Sequence, residues 1–78
     1  MPAFSPVIGI DLVEMKRARA FYRAHPERFS SAQDCAKSLA ADEAVFKAYG
    51  RSLPKNNPPS VRFVTTKKFV MAQCVGIF

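Results

Sequence analysis

Asp11, Glu43 and Lys47 supply the groups that phosphate and metal chemistry draws on: two hard oxygen donors and one ammonium. Asp11 follows the apolar run Val7-Ile8-Gly9-Ile10, where a strand gives way to a helix start. That position suits an N-cap, for which Asp is among the best residues. It also suits a metal- or phosphate-handling carboxylate, because strand ends feeding helix starts are frequent ligand positions. Glu43 and Lys47 are four residues apart and share one helical face, as an i,i+4 ion pair does. On an ideal helical wheel Glu43 lies about 40° from Leu39 and about 60° from Phe46. It therefore borders the apolar stripe, and a carboxylate there needs a partner, either Lys47 or a cation.

The basic residues form a second constellation. Lys16, Arg19 and Arg23 fall within a narrow arc of one helix, with Arg17 flanking it. Such a face is either simply solvated or docks an acidic helix or a phosphorylated ligand. Lys67 and Lys68 occupy a turn, as a solubilising tip or a phosphate contact. His25 beside Pro26 stands alone and receives no catalytic role. No Ser-His-Asp or Cys-His arrangement stands out, and Gly9, Gly50 and Gly76 are too scattered for a phosphate-binding loop.

These residues depend on a few elements for their placement. Val7–Ile10 reads as a short strand. A helix is expected from about Val13 to Ala24, with Met15, Ala18 and Tyr22 on its apolar face, and Pro26 ends it. Ser30 or Ser31 then offers an N-cap, with Gln33 or Asp34 three residues on. A second helix should run from about Ala32 to Tyr49, with Cys35, Leu39 and Phe46 as its buried stripe and Gly50 as its stop. Arg51–Ser60, with Pro54, Pro58, Pro59 and Asn56-Asn57, reads as a loop. Val61–Thr65 and Phe69–Phe78 are β-rich and joined through Thr66-Lys67-Lys68, a turn without Gly or Asn. The expected fold class is α+β, a β-α-α-β-β domain with helices packed on a small antiparallel sheet.

The 78 residues allow a single domain, 1–78. A chain this short supports only a marginal core, so a partner or self-association is expected. The net charge of +6 favours anionic partners. It leaves a basic nucleic-acid-binding domain as one reading, although no binding module or aromatic-basic interleaving supports it. Cys35 and Cys74 have no metal-ligand spacing and are expected to be reduced, half-buried small apolar residues. The N-terminus lacks the basic and apolar regions of a signal peptide, and no segment approaches the roughly 20 apolar residues of a membrane span. A cytoplasmic domain is expected.

Read together, the segments resemble one family. Ile8-Gly9-Ile10-Asp11-Leu12-Val13-Glu14-Met15-Lys16-Arg17-Ala18-Arg19 resembles the N-terminal signature of holo-acyl-carrier-protein synthases, G-x-D-[IL]-V-E-[IL]-x-R-[IVFA]-R. His25-Pro26-Glu27-Arg28-Phe29 is similar to the segment ending that family's first helix. Leu39-Ala40-Ala41-Asp42-Glu43-Ala44-Val45-Phe46-Lys47-Ala48-Tyr49-Gly50 resembles the second signature, F-A-x-K-E-A-x-x-K-A-[LIF]-G. Val64–Val75 resembles the C-terminal strand.

The resemblance implies a 4′-phosphopantetheinyl transferase, which moves the phosphopantetheine arm of coenzyme A onto a serine of an apo acyl carrier protein. It implies Asp11 and Glu43 as Mg²⁺ ligands and Glu43 and Lys47 as catalytic residues. Lys47 and Lys67 would meet coenzyme A. Arg17, with Arg19 and Arg23, would meet the acidic carrier. It also implies a homo-oligomer, a trimer, with sites between subunits. The chain departs from the pattern at Asp42, where the family has Lys, and at Val64 and Thr65, where it has Ser and His. The segment between Phe29 and Leu39 is shorter than the family's, which implies a missing helix, and the region from Gly50 to Val61 is cut down, which removes strands that in the family help form the coenzyme A pocket and the subunit interface. The alternative implied is a catalytically impaired relative that binds carrier protein or coenzyme A without turnover.

Overall fold

A computed structural model describes residues 6–50 and 60–77. Strand β1 (Pro6–Glu14) leads directly into helix α1 (Met15–Ala24). A single 3-10 turn, Pro26–Arg28, precedes helix α2 (Ala32–Tyr49). Strands β2 (Ser60–Thr65) and β3 (Phe69–Ile77) form the closing hairpin. The sheet is antiparallel with order β1-β3-β2, so β3 lies between two edge strands. The α+β, β-α-α-β-β expectation matches this architecture. No described helix is long and apolar enough to cross a membrane. The loop expected over 51–60 lies outside the described residues except for Ser60, which opens β2.

The first strand is longer than the apolar run suggests. Asp11 is not at its end; it lies mid-strand, opposite Ala72. Strand pairing with β3 continues from Pro6 opposite Ile77 to Glu14 opposite Phe69. The helix correspondingly starts at Met15, and Glu14, not Asp11, occupies its N-cap position, without a side-chain cap bond. A polar side chain interrupts an apolar run but not a β-ladder, which is held by backbone groups. The start of α1 is tied down by the Met15 amide, which donates to the Lys68 carbonyl at 2.7 Å.

Helix α2 has the expected bounds. The Asp34 amide donates to Ser31 Oγ at 3.1 Å at its start, and Ser30 Oγ bonds the Asp34 carboxylate. At its end Gly50 adopts φ 71°, and its amide donates to the Phe46 carbonyl at 2.6 Å. A left-handed residue here is the ordinary glycine stop. The buried stripe differs from expectation. Cys35 is buried, but Leu39 is only half-buried and Phe46 is 55% exposed. Ala36, Ala40, Ala44 and Val45 face the sheet instead. The reason is close approach: a Cβ at Gly9 would run into the Ala44 carbonyl and stand 2.7 Å from the Ala48 amide nitrogen. Only small side chains fit between α2 and β1 at that spacing.

The core is Val13, Met15, Ala18, Val45, Val70, Ala72, Cys74 and the α2 alanines. Cys35 and Cys74 are free thiols and fully buried, more deeply than expected. Burial pushes both thiols above their ordinary pKa, with Arg28 pulling Cys35 slightly back. In the β2–β3 turn Thr66 replaces the missing Gly or Asn. Its Oγ1 accepts from the amides of Lys68 (3.2 Å) and Phe69 (3.0 Å), and its own amide donates to the Phe69 carbonyl.

Candidate functional site

Strand alternation places Gly9, Asp11 and Val13 on the helix-facing side of β1. Because Gly9 lets α2 come close, the last turns of α2 pass beside Asp11. Lys47, in the last turn, reaches back and places Nζ 2.9 Å from Asp11 Oδ1. The same ammonium donates to the Ile10 carbonyl at 3.1 Å. Asp11 is 15% and Lys47 53% exposed at the side chain, so a nearly buried carboxylate is matched by a lysine whose stem crosses to solvent. The partner of Lys47 is therefore Asp11 and not Glu43, the i,i+4 neighbour. A carboxylate shielded from water gains more from an ammonium than an exposed one does.

Glu43 stands one turn earlier on α2 and is exposed. It lines a polar cavity of about 300 Å³ together with Asp11, Val13, Arg17, Leu39 and Asp42. Three elements meet there: β1 supplies Asp11, α1 supplies Arg17 and α2 supplies Asp42 and Glu43. The fold brings Asp11, Glu43 and Arg17 to one cavity and Lys47 onto Asp11, though Asp11 and Lys47 are 36 positions apart. Asp42, the residue at which the chain departs from the family's second signature, also lines this cavity. Its spacing of three from Leu39 and its adjacency to Glu43 are the signal that places it there.

Other candidates lie elsewhere. Lys67 is exposed in the β2–β3 turn and does not line this cavity. Arg19 and Arg23 are exposed on α1 away from it, while Arg17 also borders a second, mostly apolar groove of about 430 Å³ with Leu12, Glu14, Lys16 and Ala20. His25 is the C-cap of α1, its ring 4.9 Å from that of Phe21. Arg28 lies 6.0 Å from the Phe21 ring and 5.6 Å from the Phe29 ring. That cluster pins the 3-10 turn against α1.

Among the described residues no three carboxylate, thiol or imidazole side chains converge to hold a metal. Asp11 and Glu43 on one polar cavity do fit a small hard cation that takes one or two carboxylates and completes its shell with water and substrate phosphate. Arg17 and Lys47 supply compensating charge for an anion in the same place. No family model matches the chain, and no curated protein matches it either.

Proposed function

We propose that this chain is a 4′-phosphopantetheinyl transferase that uses coenzyme A to modify a serine of an apo acyl carrier protein. One observation carries this reading: Asp11, Glu43 and Arg17 line one polar cavity, with Lys47 bonded to Asp11 at its edge. These are the residues that the resemblance to holo-acyl-carrier-protein synthases singles out, and they come from three separate elements.

Transfer at a pyrophosphate needs charge neutralisation and positioning more than covalent help. Asp11 and Glu43 would hold Mg²⁺, which when bound supplies charge neutralisation at the pyrophosphate oxygens. Lys47, already between Asp11 and solvent, exchanges its carboxylate for a phosphate oxygen and balances the charge left on the departing group. Glu43, exposed at the cavity rim, accepts the proton of the attacking serine directly or through water. Arg17, with Arg19 and Arg23 beyond it, orients an acidic carrier helix, and Lys67 is reserved for a peripheral phosphate of coenzyme A.

Mass spectrometry of an apo carrier protein, incubated with the chain, Mg²⁺ and coenzyme A, tests this. The expected result is a gain of one phosphopantetheine, lost in Asp11→Ala and Glu43→Ala. An unmodified carrier beside a working control enzyme overturns it. A second reading, binding without turnover, is favoured by Asp42, a third carboxylate in the cavity where the family pattern has a lysine. Carrier binding that Arg17→Glu abolishes, without any transfer, supports that reading.

A further inference from the structure

Three carboxylates line the polar cavity, and they are not equivalent. Asp42 and Glu43 are exposed on α2, where water competes for anything they hold. The Asp11 side chain is 15% exposed, so it is the carboxylate whose charge is least screened. Asp11 is also the one already engaged. Lys47 Nζ donates to Oδ1 at 2.9 Å and to the Ile10 carbonyl at 3.1 Å. Two acceptors from consecutive residues of β1 thus fix one ammonium on the carboxylate. Lys47 does not line the cavity itself; it reaches the site through Asp11.

This contact sets a condition on any cation that the cavity takes. An ammonium on a carboxylate neutralises the charge that draws a metal ion in. It also repels a second cation, and at about 4 Å like charges repel several times more strongly near a protein surface than in bulk water. Asp11 therefore decides how tightly a cation is held, and Lys47 decides whether Asp11 is available to hold it. The ammonium has a way out. The Lys47 side chain is 53% exposed, so its head can turn to solvent while its stem stays against the protein.

We infer that Lys47 is a built-in competitor for the cation on Asp11: the ion pair and a divalent cation bound at that carboxylate exclude one another. Lys47 thereby sets the affinity of the site from outside the cavity, and it does so by lowering it. This rests on the reading of Asp11 and Glu43 as metal ligands, but it concerns cation affinity and not transfer. The sign separates it from a structural role. A lysine that only braces α2 against β1 leaves a looser and weaker cation site when removed. A competing lysine leaves a stronger one.

Mn²⁺ suits the same oxygen ligands as Mg²⁺, and electron paramagnetic resonance counts the free ion, so it serves as the probe on the full chain without coenzyme A or carrier. Lys47→Met, with unchanged circular dichroism, should bind Mn²⁺ at least about tenfold more tightly than the native chain. Lys47→Arg keeps a cation and should stay weak. Asp11→Asn/Lys47→Met should lose the gain, which assigns it to Asp11. Should Lys47→Met not fold, Lys47→Gln serves, because it keeps a neutral donor for the Ile10 carbonyl. An affinity that is unchanged or reduced without the ammonium, or a gain that survives Asp11→Asn, overturns the inference. So does an absence of Mn²⁺ binding in every variant. Tighter Mn²⁺ binding by Lys47→Met beside a carrier that the native chain leaves unmodified overturns the transferase reading and supports this one. Transfer by the native chain with no gain in Lys47→Met does the reverse.

Discussion

Lys47 Nζ stands 2.9 Å from Asp11 Oδ1 and joins the last turn of α2 to the middle of β1. The contact does two things at once. It satisfies the inward-facing carboxylate of a strand, and it holds an ammonium at the rim of the polar cavity. Lys47→Met keeps the stem and removes the charge, which leaves Asp11 shielded and unpaired. The expected loss of stability is about 1–2 kcal/mol in urea unfolding at neutral pH. Asp11→Asn combined with Lys47→Met should cost less than the sum of the single changes. Additive single losses would show that the pair is not coupled.

Gly9 sets the distance between β1 and α2. A methyl there would meet the Ala44 carbonyl and lie 2.7 Å from the Ala48 amide nitrogen, both backbone groups that cannot rotate aside. Gly9→Ala should destabilise by about 2–3 kcal/mol, the range of core overpacking. The check is a lowered denaturation midpoint with an unchanged slope. The same shift of α2 would carry Lys47 away from Asp11, so the variant should also lose the coupling measured above.

Ser31 opens α2 by accepting the Asp34 amide at 3.1 Å. Ser31→Ala should cost about 1 kcal/mol and Ser31→Gly only a few tenths. Ser31→Asp should retain most of the stability. Equal losses for alanine and aspartate, read from thermal unfolding, would mean that the cap does not contribute.

Burial raises the thiols of Cys35 and Cys74. The folded chain therefore keeps two protons that the unfolded chain releases above the ordinary thiol pKa of about 8.5. With more protons bound when folded, stability falls as pH rises through that value, while below it the contribution is constant. The unfolding midpoint should drop more steeply above about pH 8.5 for the native chain than for Cys35→Ala/Cys74→Ala. Native thiols should also react with a disulfide reagent only as fast as the chain opens. Parallel pH profiles, or fast native labelling, would count against this burial.

Much of the architecture was legible in the residues. The bounds of α2 follow from Ser31 and Gly50, because caps are local chemistry acting within one turn. The hairpin Val61–Thr65 and Phe69–Phe78 follows from β-branched and aromatic runs, and β2 and β3 match it from Ser60 to Ile77, Phe78 lying outside the described residues. The extent of β1 was not legible, because Asp11 ends the apolar run while the backbone ladder passes through it. The stripe of α2 was misjudged for a related reason. Periodicity ranks Leu39 and Phe46 as the large apolar residues, but α2 turns its small residues Ala36, Ala40, Ala44 and Val45 inward, passing close to Gly9 at Ala44 and Ala48, and Phe46 is 55% exposed.

By itself, then, the sequence determined the element order, the Ser31 and Gly50 caps of α2 and the basic face of α1, since each depends on residue type and short-range spacing. The tertiary structure alone decided which of the site residues meet. Lys47 bonds Asp11 across 36 positions instead of Glu43 one turn away. Such pairings depend on how strands register and how closely a helix approaches a sheet. Those distances are set by the packing of the whole chain.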